Sequence, residues 1–456
     1  MKIIVLDSES DGLWNEATKL HVVSWTDDGK TYYHTNDYEV MRSLLLKEDT
    51  RIVCHNAIRH DLPTFNKILG LNLNHTKFID SLALSWYINF ERDAHGLGKY
   101  GEEYGVPKPD VEDWSNLSYE EYAHRCTEDV KINWRLWKEL EAKLLKLYGT
   151  WEEAVRVIDY LGHKMDCARE AEEVGVRLDV ERAQRNYDEL EHLQQEKFEE
   201  LVKTMPKQPV YKTFKKPAQK VKKDGSATEA WKKWLNVLFQ AELPSTFEGE
   251  TVELVVDWED ANPNSDSQVK DWLYKLGWEP QTWKYDKNKK TGEEKRIAQV
   301  RKDGQLCESV IKLKEEAPGV EVLEGLTVIR HRKGFFKALL SSHKDGWLVA
   351  SVAGLTNTFR FKHAKPLANI PTVGRPYGSE IRGCLIAPDG YDLVGSDMVS
   401  LEATTRNHYI QHLDPKYVED MQEEGFDPHL RLSVLAGMIT EDEYEFYKWY
   451  SKKKGQ

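Results

Sequence analysis

The sequence predicts an α/β first third, a mostly helical middle, and a final quarter that returns to strands and turns. Three observations carry that reading. Short β-branched and aromatic runs at 2–7, 21–26, 30–34 and 51–55 are separated by turn residues such as Asp27, Asp28 and Gly29, the punctuation of strands. Beyond Gly149, residues 150–204 carry two long amphipathic patterns with almost no strand signal. From Gly346 the apolar runs, at 347–352 and 391–396, are short and bounded by turns. A length of 456 residues implies two to four domains rather than one core.

Taken in order, helical patterning follows the fourth strand at 58–69. It resumes at Ser118, which with Glu121 has the form of a capping box. The two long helices are separated near Glu173, Val174, Gly175 and Val176. Residues 203–223 then hold Lys203, Lys207, Lys212, Lys215, Lys216, Lys220, Lys222 and Lys223, and no acid. A loop rich in Asn, Pro and Ser at 260–266 leads to a helix at 266–276. Residues 284–302 read as an exposed hairpin or flexible loop, and a helix is expected at 321–342. No internal repeat is evident.

Composition limits the function classes. A hydrophobic fraction of 40% and a charged fraction of 31% fit a soluble globular protein. No run approaches the roughly 18 apolar residues of a membrane span, and the N-terminus enters a strand rather than a signal peptide. Cys54, Cys126, Cys167, Cys307 and Cys384 are scattered without a CxxC pair, which reads as reduced cytosolic thiols and neither zinc nor disulfides. The net charge of −13 argues against indiscriminate nucleic-acid binding. Local basic patches can still hold DNA.

Asp7 and Glu9 end the first strand. Alternate strand residues point the same way, so these two carboxylates can share a metal ion. Asp61 falls in the first turn of the helix after the fourth strand, Asp80 ends a short apolar segment, and Asp129 lies at the start of a helix that Thr127 could cap. Phosphodiester hydrolysis needs a hydroxide near neutral pH and relief of charge on both oxygens, which two metals about 3.5–4 Å apart supply. Hard Mg²⁺ prefers carboxylate oxygens.

In order and spacing these acids resemble the three motifs of the DEDD-superfamily 3′–5′ exonucleases, whose fold is ribonuclease H-like. The resemblance implies Asp7, Glu9, Asp61 and Asp129 as ligands of two Mg²⁺ (or Mn²⁺) ions, with Asp80 a structural hydrogen-bond acceptor. The proofreading branch places a tyrosine four residues before the last aspartate, where this chain has Arg125; Tyr122 is out of register. His124 instead matches the histidine of the other branch. On an unbroken helix His124 points about 140° away from Asp129. The expectation is therefore a helix break at Thr127 and His124 as the group that orients or deprotonates the attacking water. A surface His and Arg beside a catalytic aspartate is the alternative.

The rest of the chain resembles the family A (polymerase I-like) DNA polymerases of phage type. Asp397, Met398, Val399, Ser400, Leu401 and Glu402 match motif A, in which a buried strand delivers a metal-binding aspartate and the glutamate polices the nucleotide sugar. Asp427 and His429 match the Asp-x-His after it, Arg406 is expected in a palm-helix salt bridge, and Lys452, Lys453 and Lys454 form a basic tail. Residues 175–179, 262–269 and 276–280 look like thumb landmarks. Asn357 to His363, followed by Asn369, Ile370 and Pro371, resembles the segment whose arginine approaches the primer end, which implies Arg360, Lys362 and His363 as DNA-binding.

The resemblance implies an α/β ribonuclease H-like exonuclease domain (1–147), a mostly helical thumb (148–345) with a basic insertion (203–223), and the first part of an α+β polymerase palm (346–456). Lys212, Lys215, Lys216 and Lys220 are expected to neutralise DNA phosphates. No fingers helix and no second metal aspartate follow Glu402. DNA synthesis is therefore expected to need a second polypeptide with fingers and the remaining palm, which with primer–template DNA, dNTP and Mg²⁺ completes the enzyme. Single-stranded 3′ ends are the exonuclease substrate, and a processivity factor can seat on the thumb. A cytoplasmic location, that of the host for a phage protein, goes with this reading. A free-standing DEDD exonuclease and a non-catalytic DNA-holding subunit are the rivals.

Overall fold

The computed structural model describes residues 2–454 apart from 107, 110–116, 288–291, 303–304, 316, 399 and 424–425. Part of the 284–302 stretch, and Val399 of the motif A string, lie outside the described residues. The chain divides into two compact units, Met1–Ala387 and Pro388–Gln456.

The first unit opens with a five-stranded sheet. Its strands are β1 (Lys2–Ser10), β2 (Leu20–Thr26), β3 (Tyr33–Thr35), β4 (Thr50–Cys54) and β5 (Phe78–Asp80), in the order β3-β2-β1-β4-β5. β1, β2 and β3 pair antiparallel; β4 and β5 add in parallel. The connections decide this. A tight turn through Gly29, with φ of 68°, lets β3 fold straight back on β2. β4 is reached through helix α1 (Tyr38–Leu45) and β5 through α2 (Leu62–Leu69), the crossovers that parallel strands require.

Both faces of the sheet are covered. Ile4 and Leu6 of β1 pack with Leu20, Ile52, Phe65 and Phe78, whereas Val5 between them packs with Val53, Ile79, Trp137 and Leu140. The second set is supplied largely by a 30-residue helix that follows α3 (Ser81–Ile88) and α4 (Leu97–Tyr104), namely α5 (Tyr119–Tyr148). Odd-numbered positions of β1 therefore face α5, and even-numbered positions face the α2 side. The same sheet core takes in the next helix, α6 (Trp151–Val174), through Ala154, Ile158, Leu161 and Met165. The boundary expected at 147 thus runs through continuous packing.

β6 (Val176–Leu178) joins Trp347–Leu348 and Leu385–Ile386 in a small sheet. Helix α7 (Val180–Thr204) packs Ala183 and Leu190 against Ile329 and Phe336 of the helix Leu326–Ser342. The lysine-rich segment forms a strand, β7 (Gln208–Lys215), paired antiparallel with β8 (Thr251–Glu259) and backed by α8 (Glu229–Gln240). Trp234, Val237, Leu238 and Val252 give it a core of its own.

The second unit holds the helices Leu401–Ile410, Pro415–Gln422, Pro428–Leu435 and Glu441–Lys454. The strand expected at 391–396 is not formed: Leu393 is 65% and Val394 92% exposed, on a stretch without regular structure. A strand is held by its ladder with a neighbour, and among the described residues nothing pairs with this one. Among the described residues no helix is long and apolar enough to cross a membrane.

Candidate active site

The strand-face parity assembles the site. Asp7 and Glu9 continue the Val5 face of β1 and meet α5, where Asp129 is buried among Val130, Ile132 and Asn133. Carboxylate oxygens of Asp7, Glu9 and Asp129 all lie within 4.8 Å of one another. Asp61 arrives differently. It ends a π-turn, Ala57–Asp61, that runs into α2, and it accepts a hydrogen bond from Ser8 Oγ at 2.9 Å. Ser8 belongs to the other face of β1, so Asp61 stands beside the trio rather than within it. Asp80 caps α3, accepting from the backbone N–H groups of Leu82 and Ala83, and also takes those of Asn56 and Ile58.

Burial dominates the electrostatics. It pushes the Asp7 carboxyl well above the usual range, and the charges of Asp129, Glu9 and Asp61 push it further. Glu9 is raised to about 7 by burial, against the opposing pull of Arg125. Asp61 is raised to about 8, again by burial, with the Ser8 hydrogen bond acting the other way. Asp129 is raised as well, while Lys108 holds it down. Carboxylates packed this closely repel in their charged forms, and a cation relieves both that and the loss of water.

Cationic side chains enter the cluster from two directions. Lys108 Nζ donates to Asp129 Oδ2. Arg125 donates through Nε to Glu9 Oε1 at 3.2 Å and through its terminal nitrogen to the Pro109 carbonyl. Cys126 Sγ donates to the Asp7 carbonyl at 3.2 Å. Sequence reasoning missed Lys108, Ser8 and Cys126, and passed over Arg125. For Arg125 a signal existed: it lies four residues before Asp129, and such pairs share a helix face.

The placement of His124 is a correction. α5 is continuous from Tyr119, started by the Ser118–Glu121 capping box, and Thr127 directs its hydroxyl to Ser24 Oγ at 3.3 Å instead of capping a new helix. His124 consequently points outward, 66% exposed and 4.0 Å from Glu128. Beside Glu9 a cleft of about 680 Å³ opens, lined by Ser10, Gly12, His21, His60 and Tyr122. His21 and Tyr122 stack there, with centroids 4.1 Å apart and planes 6° from parallel.

Asp397 is exposed on the irregular stretch, and Glu402 is exposed in the first turn of Leu401–Ile410. Asp427 caps Pro428–Leu435 by accepting from the His429 and Leu430 backbone N–H groups. Arg406 lies over the Tyr417 ring at 5.5 Å, and among the described residues it does not form the expected salt bridge. Arg360, Lys362 and His363 are exposed on the hairpin of Val352–Leu355 and Phe361–His363, which Leu355 and Phe361 anchor to the sheet core. Among the four lysines, Lys212 covers the Phe214 ring at 5.4 Å and Lys220 the Trp231 ring at 5.0 Å. Lys216 donates to the Phe247 carbonyl at 3.2 Å, and Lys215 is exposed.

No family model matches the sequence, and no curated protein matches it. Solved structures do. The POL domain of Pol1 from M. smegmatis, in complex with DNA primer-template and dNTP, superposes with a TM-score of 0.58 over 98% of this chain, at 14% identity. This chain has the fold of that polymerase domain. It spans 66% of that chain's length, just under two thirds. Brucella melitensis NrnC with bound Mg²⁺ matches 36% of this chain and 83% of its own, at 20% identity and a TM-score of 0.29. The same protein bound to pGG matches 36% of this chain and 82% of its own, at 21% identity and a TM-score of 0.30.

Proposed function

We propose that this chain is a metal-dependent 3′–5′ exonuclease continuous with the thumb and the beginning of the palm of a family A DNA polymerase. The observation that carries the nuclease reading is the convergence of Asp7, Glu9 and Asp129 within 4.8 Å, with Asp61 one hydrogen bond from the same strand. The donor set fits Mg²⁺ or Mn²⁺: it is all carboxylate oxygen. Among the described residues Asp129 Oδ1 is moreover buried without a hydrogen-bond partner, a cost that a bound cation removes. Asp7, Glu9 and Asp129 would hold the ions, with Asp61 joining from the Ser8 side.

When bound, such ions supply a hydroxide near neutral pH and offset the charge of the attacking and leaving oxygens. The chain's own residues do the rest. Arg125 fixes the Glu9 carboxylate and presents a guanidinium beside the cluster, a group suited to a phosphate oxygen. Lys108 balances Asp129. The stacked His21 and Tyr122 give the terminal base an aromatic wall; base–aromatic stacking contributes about 1–3 kcal/mol without sequence preference.

For the polymerase part, the supports are the shared fold over 98% of the chain and the exposed apolar side chains of the second unit, among them Val394, Leu413, Leu435 and Met438. On this reading Asp397 is one metal aspartate and Glu402 lies under the nucleotide sugar. On this reading synthesis also draws on fingers and further palm besides residues 1–456, and these would cover the exposed apolar side chains.

The test is digestion of single-stranded DNA carrying a label at either end. With Mg²⁺ or Mn²⁺ the chain should shorten DNA from the 3′ end and release 5′-mononucleotides. Asp7→Ala or Asp129→Ala should reduce the rate by orders of magnitude while leaving the fold intact. Equal activity in EDTA, or in both variants, refutes the assignment.

A further inference from the structure

The π-turn that delivers Asp61 is held from three sides. β5 holds its start, where Asp80 accepts the backbone N–H groups of Asn56 and Ile58, both at 3.2 Å. β1 holds its end, through the Ser8 hydroxyl on Asp61. The third hold comes from outside the sheet. Arg59, in the middle of the turn, donates through Nε to Glu172 Oε2 at 3.1 Å and through a terminal nitrogen to Glu172 Oε1. Glu172 lies near the end of α6, 113 residues along the chain. The two side chains are 15% and 9% exposed, so the two-pronged pair, the stronger kind, is shielded from water. Isolated π-turns are rare, and these outside contacts decide where Asp61 sits.

Glu172 has a second engagement. Its Oε1 also accepts the backbone N–H of Val352 at 3.1 Å, the first residue of the hairpin Val352–Leu355 and Phe361–His363. That hairpin lies tight against α3 and α6. Gly354 has φ of 150°, and a Cβ there would meet Trp86 of α3 at 3.2 Å. The Phe359 ring is 4.7 Å from that of Tyr87, and Lys164 of α6 covers Phe361 at 4.3 Å. One carboxylate therefore joins the Asp61 turn to the hairpin bearing Arg360, Lys362 and His363.

We propose that Glu172 is a positioning residue for the exonuclease: it sets Asp61 through Arg59 and couples that setting to the hairpin through Val352. The inference rests on the exonuclease reading above and adds a route by which a DNA strand on the hairpin bears on the carboxylate site. A strand held by the basic side chains of the hairpin orders its backbone. The Val352 N–H then keeps the Glu172 carboxylate in place, and Arg59 keeps the turn from drifting. The geometry also sets what each substitution does. A carboxylate accepts on both oxygens, whereas glutamine has one acceptor and an amide NH₂ that meets the Arg59 donors head-on. Glu172→Gln therefore breaks the fork at constant side-chain size, and Arg59→Lys keeps the charge but loses the fork.

Amide hydrogen exchange and kinetics on the full chain test this. In the metal-free protein, exchange at 57–61 should be faster in Glu172→Gln and in Arg59→Lys, with β2 unchanged as a control. With Mn²⁺ and single-stranded DNA, either change should lower kcat by about 10–100-fold and leave KM nearly unchanged. The coupling is read by Phe359→Ala, which loosens the hairpin tip without touching the turn. It should speed exchange at 57–61 in the native background and add nothing beside Glu172→Gln. An equal effect in both backgrounds overturns the proposal, as does unchanged exchange at 57–61 in Glu172→Gln. An active native chain whose kcat survives Glu172→Gln overturns it too. A native chain without nuclease activity refutes the exonuclease reading instead, and the exchange rates still decide whether Glu172 holds the turn.

Discussion

Two aspartates that look equally catalytic in the sequence meet opposite fates in the fold. Asp7 lies in a central strand with a neighbour on each side, and it sits with Glu9 and Asp129, with Asp61 beside them and Arg125 and Lys108 at the edge. Asp397 follows an apolar run of similar character, but among the described residues that run has no strand partner, and it is exposed. The difference teaches that a carboxylate becomes a chemical site through burial beside other carboxylates, which raises the energy of its charge until a cation is favoured. A motif marks the candidate, and its partners supply the chemistry.

The sharpest division lies within one helix. Arg125 touches the buried cluster and His124 does not. Arg125→Ala should slow exonucleolytic hydrolysis by about 100-fold, the scale for losing one charge-stabilising donor, whereas His124→Ala should leave the rate nearly unchanged. A larger loss from His124→Ala breaks the comparison, because it places the chemistry on an exposed residue.

Stability against pH sharpens it next. In the metal-free chain Glu9 is raised to about 7 and Asp61 to about 8, from ordinary values of 4.5 and 3.8. The folded chain holds these protons more tightly than the unfolded one. Their contribution is therefore fully present below about pH 4 and is lost as pH rises through about 7 to 8. The Tm of metal-free protein should fall from about pH 5 to about pH 8, and Mn²⁺ should restore more at the higher pH. Asp7→Asn should flatten the fall, and Asp397→Asn should not. A Tm that rises across this range contradicts the buried-charge account.

The smallest effect concerns the lysines, where exposure and engagement again divide similar residues. Lys215→Ala should lower the salt slope of log K for primer–template by about 0.9, the value for one phosphate contact. Changing Lys216 as well should add little, since its ammonium is spent on the Phe247 and Glu248 carbonyls. An unchanged slope after Lys215→Ala places β7 away from DNA.

Much of the first unit was legible. Periodicity located the β1, β2 and β4 strands and the capping box of α5, because these are local signals of pattern and turn chemistry. Alternation put Asp7 and Glu9 on one face, and Asp129, which only the family resemblance had singled out, lies within 4.8 Å of both. What could not be read was long-range. The parity that seats Asp61 behind Ser8 depends on which helix covers which face. The continuity of α5 depends on where Thr127 finds a partner, and it decided against His124. Lys108 reaches Asp129 from a separate segment that no spacing rule connects to α5. The lysine-rich stretch proved to be a paired strand because β8, some forty residues on, supplies its ladder. The 391–396 run has strand character, yet propensity without a pairing partner forms no sheet.

The central claim is that the buried cluster is a working site in this chain and that the exposed Asp397 does not support synthesis by these residues alone. A single incubation tests it: purified chain, a 5′-labelled primer on a longer template, Mg²⁺ and all four dNTPs, beside Asp129→Ala and Asp397→Ala. The account predicts shortened primers from the wild-type chain and from Asp397→Ala, none from Asp129→Ala, and no extension in any lane. Templated extension by the wild-type chain alone, lost in Asp397→Ala, would contradict it.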